Sequence, residues 1–388
     1  MLLWGVMALS VAYVLFFALA SHLPQRPSQL SPSATRASRH ASFLVLIPAY
    51  AEDAVICATV ESFLRQDYPR DRFRLVVISD HQADGTNRWL ARQPITLLIP
   101  DFDHSTKARA LRFALHQVKQ SMDYVVILDA DNLVAPDFLS QLDAECQEGH
   151  AAIQCHRTAK NADSDIAVLD GLSEEINNSV FRLGHNRLGL SSALIGSGMC
   201  MEYGWLAGHA DGLATAGEDK ELEAMLLWER RHIHYAERIL VEDEKVCRSD
   251  NFQRQRLRWL TAQVQALRAM LPRVPRAVAT ARIDYIDKAL QQVLLPRSIL
   301  LVVISAMAVL ISSLSLLIPQ LSPLTSLKWW ILLLALLSAL LTATPRRLRT
   351  RAVLSSVAVM PSLALRMVGN LLHIRPGSND FIHTTHGK

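Results

Sequence analysis

Asp129 and Asp131 stand one residue apart at the end of Tyr124-Val-Val-Ile-Leu128, an apolar, β-branched run suited to a strand covered on both faces. Carboxylates in that position offer hard oxygen ligands to Mg²⁺ or Mn²⁺, which take one or two protein carboxylates and complete their shell with water and phosphate. Ligands of open α/β sheets bind beyond the carboxyl ends of the strands, where both aspartates fall. Taken alone, the pair also fits a cap and turn ahead of a helix, with Pro136 in its first turn.

Other polar groups recur at element ends. One run leads into Pro48-Ala-Tyr50-Ala-Glu52-Asp53, a second into Ser79-Asp80-His81-Gln82-Ala-Asp84-Gly85-Thr86, and a helix opens on Lys107-Ala-Arg109. Each by itself reads as a turn or cap. Jointly they supply a flat slot, an acid facing a ring N–H, a lysine for phosphate and a metal for a diphosphate, which are the needs of a nucleotide site. Two later clusters add to the set: Gly217-Glu218-Asp219 at a helix start and Gln255-Arg-Leu-Arg258-Trp259 within a basic helix.

The elements that must position these groups follow from the hydropathy pattern. Strands are expected over 43–47, 73–79, 95–99, 124–128 and 151–156, alternating with helices near 52–66, 105–120, 136–148, 165–190 and 217–231. That alternation is the signature of a parallel α/β sheet. From 249 to 275 the chain is helical in pattern and strongly basic (Arg254, Arg256, Arg258, Arg268, Arg273), which suits a helix lying in a headgroup region.

Half of the 388 residues are apolar, and the excess lies at the two ends. Residues 2–20 are uncharged and long enough to span a bilayer. Ala18 and Ala20 give them a small-residue end, but with no basic stretch ahead a retained span is favoured over a cleaved signal peptide. His22, Arg26, Arg36 and Arg39 follow, which by the positive-inside rule puts the next domain in the cytoplasm. Residues 298–318 and 327–344 form a hairpin of two further spans with Trp329 and Trp330 at an interface; the basic run 346–351 follows. The stretch 352–374, with Pro361, Arg366 and Asn370, reads as interfacial. The expected organisation is a span over 1–21, a linker over 22–41, a catalytic domain over 42–248, interfacial helices over 249–297, a hairpin over 298–344, and a basic loop, interfacial helix and tail over 345–388. Five scattered cysteines without C-x-x-C spacing argue against a disulfide framework or a zinc site. A net charge of +4 is too mild to imply nucleic acid.

From about residue 43 to 260 the chain resembles a family 2 glycosyltransferase of GT-A fold, in the membrane-integrated branch that holds cellulose, chitin and hyaluronan synthases and ceramide glucosyltransferase. Pro48 to Glu52 resembles the family's P-A-x-N-E, with Ala51 in place of Asn. Asp80 to Thr86 resembles its D-D/S-D-G-T, and Lys107 to Leu111 its G-K-x-x-A-L, with Thr106 in place of Gly. The resemblance implies that Pro48, Tyr50, Glu52, Asp80, Lys107, Asp129 and Arg258 bind the donor, with Asp80 reading a uracil ring and Arg258 clamping the diphosphate. It implies metal on Asp131 and Asp129, and a T-E-D-like Glu218-Asp219 pair with Asp219 as general base. Gln255, Trp259 and the Gly196-Ser197-Gly198 loop would face the acceptor.

Read this way, the chain is an inverting enzyme that moves a sugar from a nucleotide-sugar, UDP favoured, onto a membrane lipid or lipid-linked acceptor. Two other readings stay open: a processive synthase of chitin-oligosaccharide or poly-N-acetylglucosamine type, and an inactive scaffold of a polysaccharide assembly. The expected setting is a bacterial inner membrane, alone, as a homo-oligomer or with an assembly partner. His383 and His386 read as a polar tail rather than a site.

Overall fold

A computed structural model describes residues 2–25, 39–118, 121–213, 215, 217–247, 249–318 and 323–357. Most of the linker, Pro319 and the tail from 358 on, with His383 and His386, lie outside them.

Eight strands form one sheet: β1 (Phe43–Tyr50), β2 (Phe73–Asp80), β3 (Thr96–Leu98), β4 (Tyr124–Ile127), β5 (Leu133–Val134), β6 (Ala152–Ala159), β7 (Met199–Glu202) and β8 (Ile233–Asp243). Their order is β3-β2-β1-β4-β7-β6-β8-β5. The first four pair in parallel, as the sequence pattern predicts. The sheet as a whole is mixed, because β7 runs antiparallel between β4 and β6 and β5 runs antiparallel to β8. β5, β7 and β8 are the strands the hydropathy pattern does not mark. β5 and β7 are too short to show a period, and β8 carries Glu237 and Arg238 in its middle.

Alternation along the central strands builds the core on both faces. Leu44, Leu46, Val125 and Ile127 face Leu111, Leu222 and Tyr285 on one side. Val45, Ile47, Val126 and Leu128 face Ile56, Phe63 and Phe138 on the other. Burying such side chains contributes on the order of 1.5–3 kcal/mol each. Register then sets the site, since Tyr50 lies opposite Asp80 and Ala159 opposite Asp243.

The expected helix over 165–190 runs from Asp165 to Asn177, passes through a π turn at Asn178–Leu183, and resumes over Gly184–Arg187. Such insertions gather at functional sites. Ser164 caps its start by accepting the amide of Ala167 at 3.1 Å. The basic helix Ser249–Met270 packs on helices Glu218–Trp228 and Ile283–Val293.

Three helices, Leu2–Ala20, Arg297–Leu317 and Pro323–Ala343, are long and apolar enough to cross a membrane. The first packs along the third. It is tied to the sheet domain by Tyr13, whose hydroxyl lies 2.6 Å from Asp287 Oδ1 and 2.8 Å from His185 Nε2. Phe17 stacks on the His185 ring at 3.6 Å. Gly184 permits this approach, because a Cβ there would stand 2.3 Å from the Phe17 carbonyl oxygen. Arg347, in the basic run after the third helix, bonds Glu175 at 2.6 Å.

Candidate active site

The carboxyl ends of β1, β2, β4 and β8 open on one cavity of about 550 Å³. Of the residues singled out from the sequence, Pro48, Tyr50, Glu52, Asp80, Lys107, Asp129 and Asp131 line it, as do Gly196, Glu218, Asp219, Gln255, Arg258 and Trp259. Ser197 and Gly198 do not; Ser197 is fully buried behind the wall, where its hydroxyl bonds Asn132 Oδ1.

At the slot end, β1 and β2 turn through left-handed backbone at Ala51 (φ 50°) and His81 (φ 57°). Non-glycine residues rarely hold that conformation, and asparagine does so more readily than alanine. The turn is closed by Ala51 N–H donating to the Asp80 carbonyl at 3.0 Å. Asp80 is buried and its carboxylate meets His81 Nδ1 at 2.6 Å, while the Tyr50 and His81 rings lie 5.3 Å apart at the rim.

The carboxylate centre has a third member that the sequence reading missed. Ligand oxygens of Asp129, Asp131 and Asp243 lie within 4.8 Å of one another. Asp243 ends β8, so the strand that escaped notice took its acid with it. Its signal was there in Ile239-Leu-Val241 running into Glu242-Asp243, the same apolar-to-acid pattern as β4. Three hard oxygen donors from two strands fit Mg²⁺ or Mn²⁺. Asp131 is held by the Glu244 amide at 2.9 Å, and Asn132 reaches both Asp131 (3.2 Å) and Asp243 (3.3 Å). Burial opposes ionisation of Asp243, but Lys245 and Arg157 outweigh it and hold its carboxyl below the usual range.

Lys107 sits between the carboxylate cluster and Glu218. Its ammonium contacts Asp129, donates to the Gly196 carbonyl at 2.6 Å and lies 3.4 Å from Glu218. Burial works against its charge, yet Asp129 and Glu218 raise its pKa above the ordinary lysine value. Gly196 accepts the contact at φ +81°, a left-handed conformation that side-chain-bearing residues rarely adopt. Glu218 is buried, which together with Asp219 and Asp129 pushes its pKa up to about 7 against the pull of Lys107. Asp219 opens the helix Glu218–Trp228 and accepts the Lys220 amide at 2.8 Å, leaving it half-buried at the cavity wall.

The family model described as "Glycosyltransferase like family 2" matches residues 40–262. The chain belongs to that family. It is a glycosyltransferase, and its mixed sheet with carboxylates at the strand ends is the GT-A fold. No curated protein sequence matches it. Among solved structures, a mannosyltransferase from Pyrobaculum calidifontis in complex with GDP-mannose and Mn²⁺ is 18% identical with TM-score 0.54, covering 87% of this chain and 97% of that one. TarS 1–349 from S. aureus is 13% identical with TM-score 0.43, over 86% of this chain and 89% of that one. Glucosyl-3-phosphoglycerate synthase from Mycobacterium tuberculosis is 19% identical with TM-score 0.39, over 59% and 82%. At these identities the first match speaks for the fold.

The cavity does not end at the carboxylates. Its wall continues over Leu172, Ile176 and Phe181 to Val14, Leu301 and Leu340, one side chain from each apolar helix. Around the junction stand charged residues that the sequence reading did not single out for the site: Arg157, Glu174, Arg182, Lys245 and Arg297. Glu174, whose burial resists ionisation, is held far below the carboxylate range by Arg157 and Arg182, which lie 2.9 and 3.1 Å away.

Proposed function

We propose that this glycosyltransferase inverts the anomeric centre while moving a sugar from a nucleoside diphosphate, UDP favoured, to a lipid or lipid-linked acceptor at the cytoplasmic face of a membrane. The observation that carries the reading is the single cavity whose wall joins Asp129, Asp131 and Asp219 to Val14, Leu301 and Leu340. Mobile sugars need no apolar extension of the site; a lipid chain does, and sites of this kind are mostly apolar with a few convergent polar groups.

In this reading Tyr50 and Asp80 hold the base, Asp129, Asp131 and Asp243 would hold Mg²⁺ or Mn²⁺, and Arg258 faces the diphosphate. The ion, when bound, would offset charge developing on the leaving diphosphate. Arg258 adds guanidinium charge there, a geometry that suits phosphate. Asp219 removes the proton of the acceptor hydroxyl as its oxygen attacks the anomeric carbon and the bond to the diphosphate breaks. Trp259, with the Arg256 guanidinium 4.4 Å from its ring centre, and Gln255 form the acceptor floor.

The test is turnover by purified full-length protein in detergent, with UDP- and GDP-sugars, Mn²⁺ or Mg²⁺ and total membrane lipid. Discrete glycolipids that vanish in Asp219→Asn are expected. A ladder of long chains would make the protein a processive synthase, and silence with every donor would favour a scaffold.

A further inference from the structure

Where the cavity passes from its polar to its apolar half, Arg157, Arg182, Lys245, Arg256 and Arg297 line the wall with Asp170, Glu174 and Asp243 among them. Glu244, also at the wall, is taken by Lys160 at 3.2 Å. One carboxylate, Glu174, serves Arg157, Arg182 and Lys245. Arg256 is paired with Asp170.

Buried N–H groups without a hydrogen-bond partner occur on Arg157 (Nε) and on two arginines nearer the apolar helices, Arg182 and Arg297. Arg182 is 2% exposed; its Nη1 donates to Glu174 and to Asn178 (2.6 Å), while its Nε has no hydrogen-bond partner. Burial lowers the pKa of Arg182 despite Glu174, so the pocket leaves that charge undercompensated. Arg297 opens the second apolar helix. Its Nη2 bonds the Ser173 carbonyl (3.0 Å), the Ser173 hydroxyl (3.2 Å) and Asn177 (2.8 Å), all uncharged, and its buried Nη1 has no partner. Arg297 bonds Ser173 and Asn177 while Arg182 bonds Glu174 and Asn178, and the two guanidiniums are near enough for Arg182 to disfavour the charge of Arg297. A buried guanidinium N–H left without a hydrogen-bond partner is costly. Keeping two at the mouth of an apolar channel makes sense when a ligand brings the missing anion.

We propose that the acceptor lipid carries a phosphate group that seats between Arg182 and Arg297, with its chain running past Leu172 and Ile176 toward Val14, Leu301 and Leu340. The proposal rests on the lipid-acceptor reading above. A phosphate fits because it brings up to two negative charges and several acceptor oxygens to a pair of forked donors. The same chemistry could come from the diphosphate of the donor, so the experiment separates the two sources.

The probes are phosphatidic acid and diacylglycerol of identical acyl chains, each titrated onto full-length protein in neutral detergent, with UDP binding in Mn²⁺ measured in parallel. Wild-type protein is expected to bind phosphatidic acid at least about tenfold more tightly than diacylglycerol, the scale of one lost hydrogen bond to a charged group. Arg297→Gln should erase that preference and leave UDP affinity unchanged, and Arg297→Lys should restore part of it. Because Arg182 also holds Glu174 and Asn178, Arg182→Gln is read only beside its unfolding midpoint. Equal binding of the two lipids overturns the phosphate while sparing the lipid acceptor. Binding of neither lipid overturns both readings. Loss of UDP affinity in Arg297→Gln assigns the arginines to the donor and overturns the proposal.

Discussion

The two halves of the cavity are built by different rules. At the strand ends, each polar group follows directly on an apolar run: Tyr50 after β1, Asp80 closing β2, Asp129 and Asp131 after β4, Asp243 closing β8. The sheet alone aligns them. At the membrane-side junction no strand is involved, and Arg182, Arg297 and Glu174 are brought together only when the helix from Asp165, the π turn and the apolar helices dock. The first half depends on strand register and the second on helix packing. Substitutions in one half should therefore leave the other measurable.

The largest expected effect lies where the halves meet. Asp219→Asn should lower kcat by about 10²–10⁴-fold, the usual worth of general base catalysis. Donor affinity should hardly change, since among the described residues Asp219 hydrogen-bonds its own helix start. A variant that also loses donor binding would show that Asp219 serves the strand-end half instead.

Next in size is the acid supplied by β8. Asp243→Asn should raise the Mn²⁺ concentration needed for half-maximal activity by about 10–100-fold, as losses around metal ligands commonly do. Arg297→Gln should leave that concentration where it is. If both variants shift it alike, the two halves are one electrostatic unit and the contrast drawn here fails.

Sequence legibility followed the same division. The parallel strands β1 to β4 are continuous apolar runs, and the residues after them could be read as one site before any coordinates. β8 was passed over because its central Glu237 and Arg238 break the run and because a register shift between Cys155 and His156 lets it bend. Asp243 was lost with it. Lys107 lines the cavity, but its bonds to Asp129 and Gly196 depend on a loop whose position no local pattern encodes. Arg182 and Arg297 have no motif at all; 115 positions separate them and only helix docking joins them to Ser173 and Glu174.

Docking can be attacked directly at Gly184. An alanine there puts its Cβ at 2.3 Å from the Phe17 carbonyl, and backbone cannot yield as a flexible side chain would. Gly184→Ala should cost about 1–3 kcal/mol of overpacking and lower the thermal midpoint in detergent. It should weaken acceptor use before UDP binding, because Tyr13 and Phe17 hold the wall that includes Val14. Equal loss of both would mean that the strand-end half also leans on the first apolar helix.

The smallest effect is expected at the opposite end of the cavity. Ala51 holds φ 50° with its amide committed to the Asp80 carbonyl, so the strain is maintained by the turn that presents Tyr50 and Asp80. Asparagine adopts left-handed backbone more readily than alanine, and Ala51→Asn should stabilise the protein by about 0.5–1 kcal/mol, read from the denaturant midpoint. Tighter UDP binding should accompany it, since a slot already held open costs the ligand less to enter. Acceptor affinity should stay fixed. A change in lipid binding on substituting Ala51, far along the wall from Arg297, would be the clearest sign that the two halves communicate through the sheet.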